Sequence, residues 1–129
     1  MENLRNQQRV TNFNIKNIEI KAEELFEKAI VCANDGFSKK AFDIARDALI
    51  YSKRNNLYLA IYIHSFMAAL SIDFTQYGNA RIHIYNAINR LNINHFNYKV
   101  DRTYLEALLV HVNKVDKEYK QIEFEAMAA

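Results

Sequence analysis

The sequence predicts an all-α protein of about five helices, and three features support this fold class. The 129 residues include no proline and only two glycines, so the usual turn residues of β-rich folds are scarce. Apolar residues recur at spacings of three and four along most of the chain, as they do on one face of a helix. Half of the residues are apolar and a quarter are charged, which is typical of a folded globular domain.

The first two predicted helices are separated by a glycine turn. The sequence NDG at 34–36 should end the first helix, because Gly36 can adopt a left-handed backbone at little cost. The second helix should end near KRNN at 53–56. The first apolar face comprises Ile18, Ala22, Leu25, Phe26, Ala29, Ile30 and Ala33, and the second comprises Phe37, Ala41, Ile44, Ala45, Ala48, Leu49 and Ser52.

The third segment, YLAIYIHSFMAALSI at 58–72, has three possible interpretations: a membrane span, a strand or a buried helix. Its apolar part would span only ~24 Å as a helix, which is shorter than the ~30 Å hydrocarbon core of a bilayer. LYLAIYI could form a strand, but HSFMAAL continues with strong helix formers and no break. The segment is therefore predicted to be a helix that is covered on several sides.

Two more helices are predicted in the second half of the chain. The fourth begins near QYGN at 76–79, and the fifth begins near Asp101 as its N-cap. Their apolar positions are Tyr77, Ala80, Ile84, Ala87, Ile88 and Leu91 in the fourth helix, and Leu105, Leu108, Leu109, Val112, Val115, Tyr119 and Ile122 in the fifth.

Alanines recur at a fixed interval of 39 residues. Ala29, Ala68 and Ala107 are spaced in this way, and the same offset relates Ala41 to Ala80 and Ala48 to Ala87. Small residues at equivalent positions allow helices to approach closely, so the interval predicts a repeated helical hairpin.

The segment DGFSKKAFDIARDAL at 35–49 resembles a tetratricopeptide repeat, in which a glycine turn leads into a helix with alanines seven residues apart. Gly36, Ala41 and Ala48 match that pattern, and Tyr77, Ala80 and Ala87 match it in a second copy. The resemblance covers roughly residues 22–112 and departs from the family in its 39-residue period and its lack of the terminal proline. It implies antiparallel hairpins stacked as a short right-handed solenoid, with two hairpins and a closing helix.

The resemblance also implies a concave groove, lined mainly by the first helix of each hairpin, that binds a protein or peptide. An apolar lining with two tyrosines would suit an amphipathic helix or an extended apolar segment. The clamp residues of chaperone-binding relatives are replaced by Phe26 and Ile30. The expected groove residues are Phe26, Ile30, Ala33, Tyr62, Ala69, Ile72, Tyr104, Leu108 and His111.

Three other uses of these surfaces stay open. Residues 1–16, an N-terminal extension ahead of a single domain at 17–126, carry Leu4, Val10, Phe13 and Ile15 and could fill the groove. The same surface could also form a homodimer. Nucleic acid is a less favoured partner, since aspartates interrupt a candidate basic strip of Lys39, Lys40, Arg46, Lys53, Arg81 and Arg90.

No catalytic function, metal or cofactor is expected. The sequence has no metal-binding His–Glu motif, glycine-rich phosphate loop or paired cysteines, and its four histidines are scattered. Cys32, the single cysteine, is expected in the core and fits a reducing compartment. The first residues have no apolar segment of a secretory signal, so the expected protein is a cytoplasmic adaptor or regulatory module.

Overall fold

The computed structural model describes residues 20–52 and 57–128, and this part of the chain contains five helices and no strand. They are α1 at residues 20–34, α2 (Ser38–Ser52), α3 (Leu57–Asp73), α4 (Tyr77–Arg90) and α5 (Tyr98–Ala128). The all-α prediction and the number of helices are therefore confirmed. The chain divides into two compact units within α3, the first ending at Ile63 and the second beginning at His64. The predicted extension, residues 1–16, lies outside the described residues.

In the first unit, α1 and α2 form an antiparallel hairpin. The Gly36 backbone is left-handed, with φ of 90°, as the NDG sequence predicts. The Phe37 N–H donates to the Cys32 carbonyl at 2.8 Å and the Gly36 N–H donates to the Ala33 carbonyl at 3.1 Å, which is the Schellman pattern of a helix end. Lys21 Nζ lies 5.0 Å from the ring centre of Tyr51, so the start of α1 is beside the end of α2.

The apolar third segment forms α3, which confirms the helical interpretation. Its buried positions are distributed around the helix instead of along one stripe: Ala60, Ile61, Ile63, His64, Met67, Ala68, Leu70 and Ser71. The Ser71 hydroxyl is satisfied inside the helix, where it donates to the Met67 carbonyl at 2.8 Å. Among the described residues, no helix has both the length and the apolar character needed to span a membrane.

In the second unit, the turn from α3 to α4 repeats the hydrogen bonds of the first hairpin. Thr75 has a left-handed backbone with φ of 60°, and it lies 39 residues after Gly36. The Gln76 N–H donates to the Ser71 carbonyl at 2.8 Å and the Thr75 N–H donates to the Ile72 carbonyl at 2.9 Å. These bonds also lie 39 residues after those of the first turn, so the interval seen in the alanines relates the two turns as well.

Helix α5 packs against α4 in the antiparallel direction. Tyr77 makes an edge-to-face contact with Tyr119, with ring centres 5.8 Å apart, and one turn later Arg81 bonds to Asp116 and Asn113. Later residues of α4 therefore contact earlier residues of α5, as expected for antiparallel helices. Ala80, Ile84 and Ala87 of α4 and Leu105 and Val112 of α5 are buried.

The alanines related by 39 residues are fully buried with one exception. Ala29, Ala41, Ala48, Ala68, Ala80 and Ala87 have no exposed surface, whereas Ala107 is exposed. The third copy differs because α5 does not turn at Lys114, which lies 39 residues after Thr75. It continues to Ala128, so among residues 98–128 no second helix folds back over Ala107.

The predicted N-cap of α5, Asp101, lies four residues too late in the sequence, because Asn97 is the residue that precedes the helix. The helix begins at Tyr98, and the Asp101 N–H donates to the Asn97 carbonyl at 2.9 Å, so Asp101 lies in the first turn instead of at the N-cap. Its carboxylate instead accepts a hydrogen bond from Nε2 of buried His95 at 2.7 Å. This bond ties the connection between α4 and α5 to the helix that follows it.

Candidate binding surface

One face of α5 is an extended, largely apolar surface of the second unit. Val100, Tyr104, His111 and Ile122 are exposed on it, whereas Leu108 and Val115 are half-buried. Spacings of three, four and seven place these six side chains within one helical stripe, beside the stripe that buries Leu105 and Val112. We call these six residues the α5 apolar face; it extends for about 33 Å at 1.5 Å per residue, with exposed Glu118 between Val115 and Ile122.

Three of the nine predicted groove residues, Tyr104, Leu108 and His111, lie on the α5 apolar face. Tyr104 is 52% exposed, and it projects from a helix that is well anchored by Leu105 on the neighbouring stripe. Sequence reasoning did not assign Val100, Val115 or Ile122 to the surface. Their helical spacing from Tyr104 would have identified them, but the family pattern that assigned the groove does not extend to Val115 or Ile122.

The remaining predicted groove residues are on α1 and α3, and none of them is fully buried. In the second unit, Ala69 and Ile72 are half-buried on α3. In the first unit, Phe26, Ala33 and Tyr62 are half-buried and Ile30 is exposed. Each unit therefore presents part of the predicted set at its surface.

The residues of the predicted basic strip have different environments. In the first unit, Lys39, Lys40 and Arg46 are exposed, with Arg46 3.6 Å from Asp43, and Lys53 lies outside the described residues. In the second unit, Arg90 donates to the Asn86 carbonyl at 3.0 Å. Arg81 is turned toward α5, where it donates to Asn113 at 2.8 Å and forms an ion pair with Asp116.

Asp116 is the centre of a polar cluster between α4 and α5. Its carboxylate is nearly buried, bonds to Arg81 and lies 3.5 Å from Lys120 Nζ. The hydrogen bond from Arg81, aided by the charge of Lys120, lowers the pKa of Asp116 below its ordinary value. An open depression beside the cluster is lined by the α3–α4 turn, Tyr77 and Tyr119. Two cations, Arg81 and Lys120, already neutralise the Asp116 carboxylate, so we interpret the cluster as structural. The bond from Arg81 on α4 to Asp116 on α5 fixes the register of the two helices.

Two histidines that are far apart in sequence meet between α3 and α4. His64 is buried and His83 is half-buried, and their Nδ1 atoms lie 3.0 Å apart. Burial lowers the pKa of His83. The prediction treated the histidines as scattered, although a hairpin that turns at 74–76 brings these two positions together. Within the described residues, no three histidine, cysteine, aspartate or glutamate side chains are grouped so as to hold a metal ion.

Comparisons with known proteins give no family for this chain: no family model, curated protein or solved structure matches it.

Proposed function

We propose that this protein is a non-enzymatic adaptor or regulatory module of the tetratricopeptide type, which binds a protein or peptide partner through an apolar surface containing Tyr104. The observation that carries the proposal is the α5 apolar face, which presents six side chains along one stripe of a helix that packs against α4. The matching hydrogen bonds of the two turns and the buried alanines 39 residues apart support the repeat interpretation.

The shape and chemistry of the α5 apolar face favour a macromolecular partner over a small molecule. Small molecules bind in concave sites that bury most of their surface, whereas this face is a stripe about 33 Å long along one helix. A stripe of that kind matches the apolar side of an amphipathic helix or an extended apolar segment. Tyr104 is suited to be its anchor, since tyrosine offers a large rigid contact area and a hydroxyl for hydrogen bonding. A cytoplasmic location is part of the proposal, in keeping with the single cysteine.

The experiment compares two tyrosines of nearly equal exposure on different helices. Tyr104 on α5 is 52% exposed and Tyr85 on α4 is 50% exposed. The parent protein, Tyr104→Ala and Tyr85→Ala would each be immobilised and used to capture partners from the native host. We expect a partner that the parent and Tyr85→Ala retain equally and that Tyr104→Ala binds about 30-fold more weakly, the loss of ~2 kcal/mol typical of a tyrosine hot spot.

Equal retention by both variants would exclude Tyr104 from the binding surface and overturn the proposal. Far-ultraviolet circular dichroism and thermal melting of the two variants provide the folding control. Because both side chains are about half exposed, neither substitution should change the helix content.

Self-association is a second candidate function, and the end of α5 favours it. Ile122, Phe124 and Met127 are 65%, 68% and 87% exposed on the same helix, so apolar side chains continue beyond the part of α5 that packs on α4. A homodimer through this face would cover Ile122 together with the other five residues of the α5 apolar face. Light scattering at several concentrations distinguishes the two functions. The mass of a single chain at all concentrations would exclude an obligate dimer. The mass of two chains, reduced to that of one chain by Ile122→Ser, would establish a dimer.

A further inference from the structure

The His64 and His83 rings lie across the boundary between α3 and α4 in a geometry that holds one shared hydrogen. Their Nδ1 atoms are 3.0 Å apart, within the range of an N–H···N hydrogen bond, and their ring centres are 5.3 Å apart. Because the ring centres are farther apart than the nitrogens, the two Nδ1 atoms point toward each other. One Nδ1 must therefore carry the hydrogen and the other must accept it.

The charges near the pair on its own helices are few. The side chains one turn before and after each histidine have no titratable group. They are Ala60, Ile61, Met67 and Ala68 around His64, and Asn79, Ala80, Asn86 and Ala87 around His83. Arg81 is the nearest charged residue on α4, and it is bound to Asp116. On α5, which packs against α4, the titratable groups Asp116 and Tyr119 contact α4, and Lys120 also pairs with Asp116.

We propose that the His64–His83 pair is a proton-sensitive clamp, which joins α3 to α4 while the pair carries at most one positive charge and releases them when it binds a second proton.

The proton count explains why the second proton is decisive. In the neutral pair, the donor ring carries its hydrogen on Nδ1 and the acceptor ring carries its hydrogen on Nε2. A first added proton binds the Nε2 of the donor ring, so the Nδ1–H still donates and the bond between the helices is kept. A second added proton has only the acceptor Nδ1 left to bind. Two N–H groups would then face each other across 3.0 Å, and both rings would be cationic in a largely buried site.

The direction of the pH effect follows from the proton affinity of His83. Burial lowers its pKa from the ordinary value of 6.5, so the folded chain binds fewer protons than the unfolded chain over the pH range just below 6.5. The stability that neutral His83 contributes is therefore fully present above pH 6.5 and is lost as the pH falls below that value. Acidification below this value therefore starts to destabilise the fold, and release of the clamp follows when the pair binds its second proton.

The test measures urea unfolding of the full chain between pH 7.5 and pH 5.0 for the parent, His83→Gln and His111→Gln. The amide of His83→Gln does not titrate, and His111 is an exposed histidine that serves as the matched control. We expect the unfolding equilibrium constant of the parent and of His111→Gln to rise more steeply on acidification than that of His83→Gln, by up to about tenfold per pH unit for each proton. The same pH dependence in all three proteins would overturn the proposal.

A measurement on the unsubstituted protein covers the case in which His83→Gln does not fold. Nitrogen NMR of the labelled imidazole rings at pH 7.5 reports which nitrogen of each ring carries hydrogen. We expect opposite tautomers, one ring protonated at Nδ1 and the other at Nε2. Two rings with hydrogen on Nε2 would show that the Nδ1 atoms share no hydrogen, which would also overturn the clamp.

Discussion

Ala68→Leu tests whether the 39-residue interval reflects close packing in the hairpin of α3 and α4. Ala68 has no exposed surface, so three added carbon atoms must enter filled space. If there were room, each added methylene would stabilise the fold by ~0.8 kcal/mol. Protein interiors are packed like organic crystals and contain few voids, so overpacking should dominate at a cost of about 1–3 kcal/mol.

The assay is thermal melting followed by circular dichroism. Since 1 kcal/mol shifts the melting temperature of a chain of this size by roughly 4 °C, Ala68→Leu should lower it by about 4–12 °C. Ala107→Leu is the matched control, because Ala107 occupies the equivalent position one interval later and is exposed. Its effect should stay within about 0.5 kcal/mol. The reasoning fails if Ala68→Leu melts at or above the parent, or if Ala107→Leu is equally destabilising.

Two other predictions concern the first turn and the polar cluster. Gly36→Ala should destabilise the protein by about 1–2 kcal/mol in urea unfolding, because Gly36 has a left-handed backbone. Gly78→Ala should instead stabilise it by up to ~1 kcal/mol, because Gly78 lies inside α4 with open space at its Cβ position. Similar effects of both changes would contradict the turn assignment. Arg81→Gln should raise the pKa of Asp116 toward its ordinary value of 3.8, because the hydrogen bond from Arg81 is the main cause of its lowering. The stability gained from the lowered pKa is present above pH 3.8 and is lost in more acidic solution, so Arg81→Gln should make acid unfolding begin at a higher pH. NMR titration of the Asp116 carboxyl measures its pKa in both proteins. An unchanged pKa in Arg81→Gln would refute the pairing.

Local patterns predicted the helices well because each depends on residues close in sequence. The spacing of apolar residues located all five helices, and Gly36 identified the first turn because glycine adopts the left-handed backbone most easily. The second turn was harder to assign, since Thr75 takes that backbone without being glycine. Asp101 was misplaced for a similar reason: its bond to His95 outweighs the local preference for an N-cap.

The candidate surface was only partly predictable. The resemblance to tetratricopeptide repeats selected Tyr104, Leu108 and His111, and these lie on one face of α5. It did not include Val115 or Ile122, because the repeat pattern ends before them while α5 continues. Arg81 was expected on a basic strip, whereas its partner Asp116 lies 35 residues away and becomes a neighbour only when α5 packs on α4.

The sequence by itself determined that the chain is helical, where its helices lie and that alanines recur at a 39-residue interval; six of these seven alanines are buried. These properties follow from backbone preferences and from the period of apolar residues, which act within a few turns of helix. Tertiary structure alone decided that His64 meets His83, that Asp116 neutralises Arg81 and that Ala107 stays exposed. Each of these depends on which helix lies alongside another and where that helix ends, and side-chain hydrogen bonds act only across the few ångströms that this packing creates.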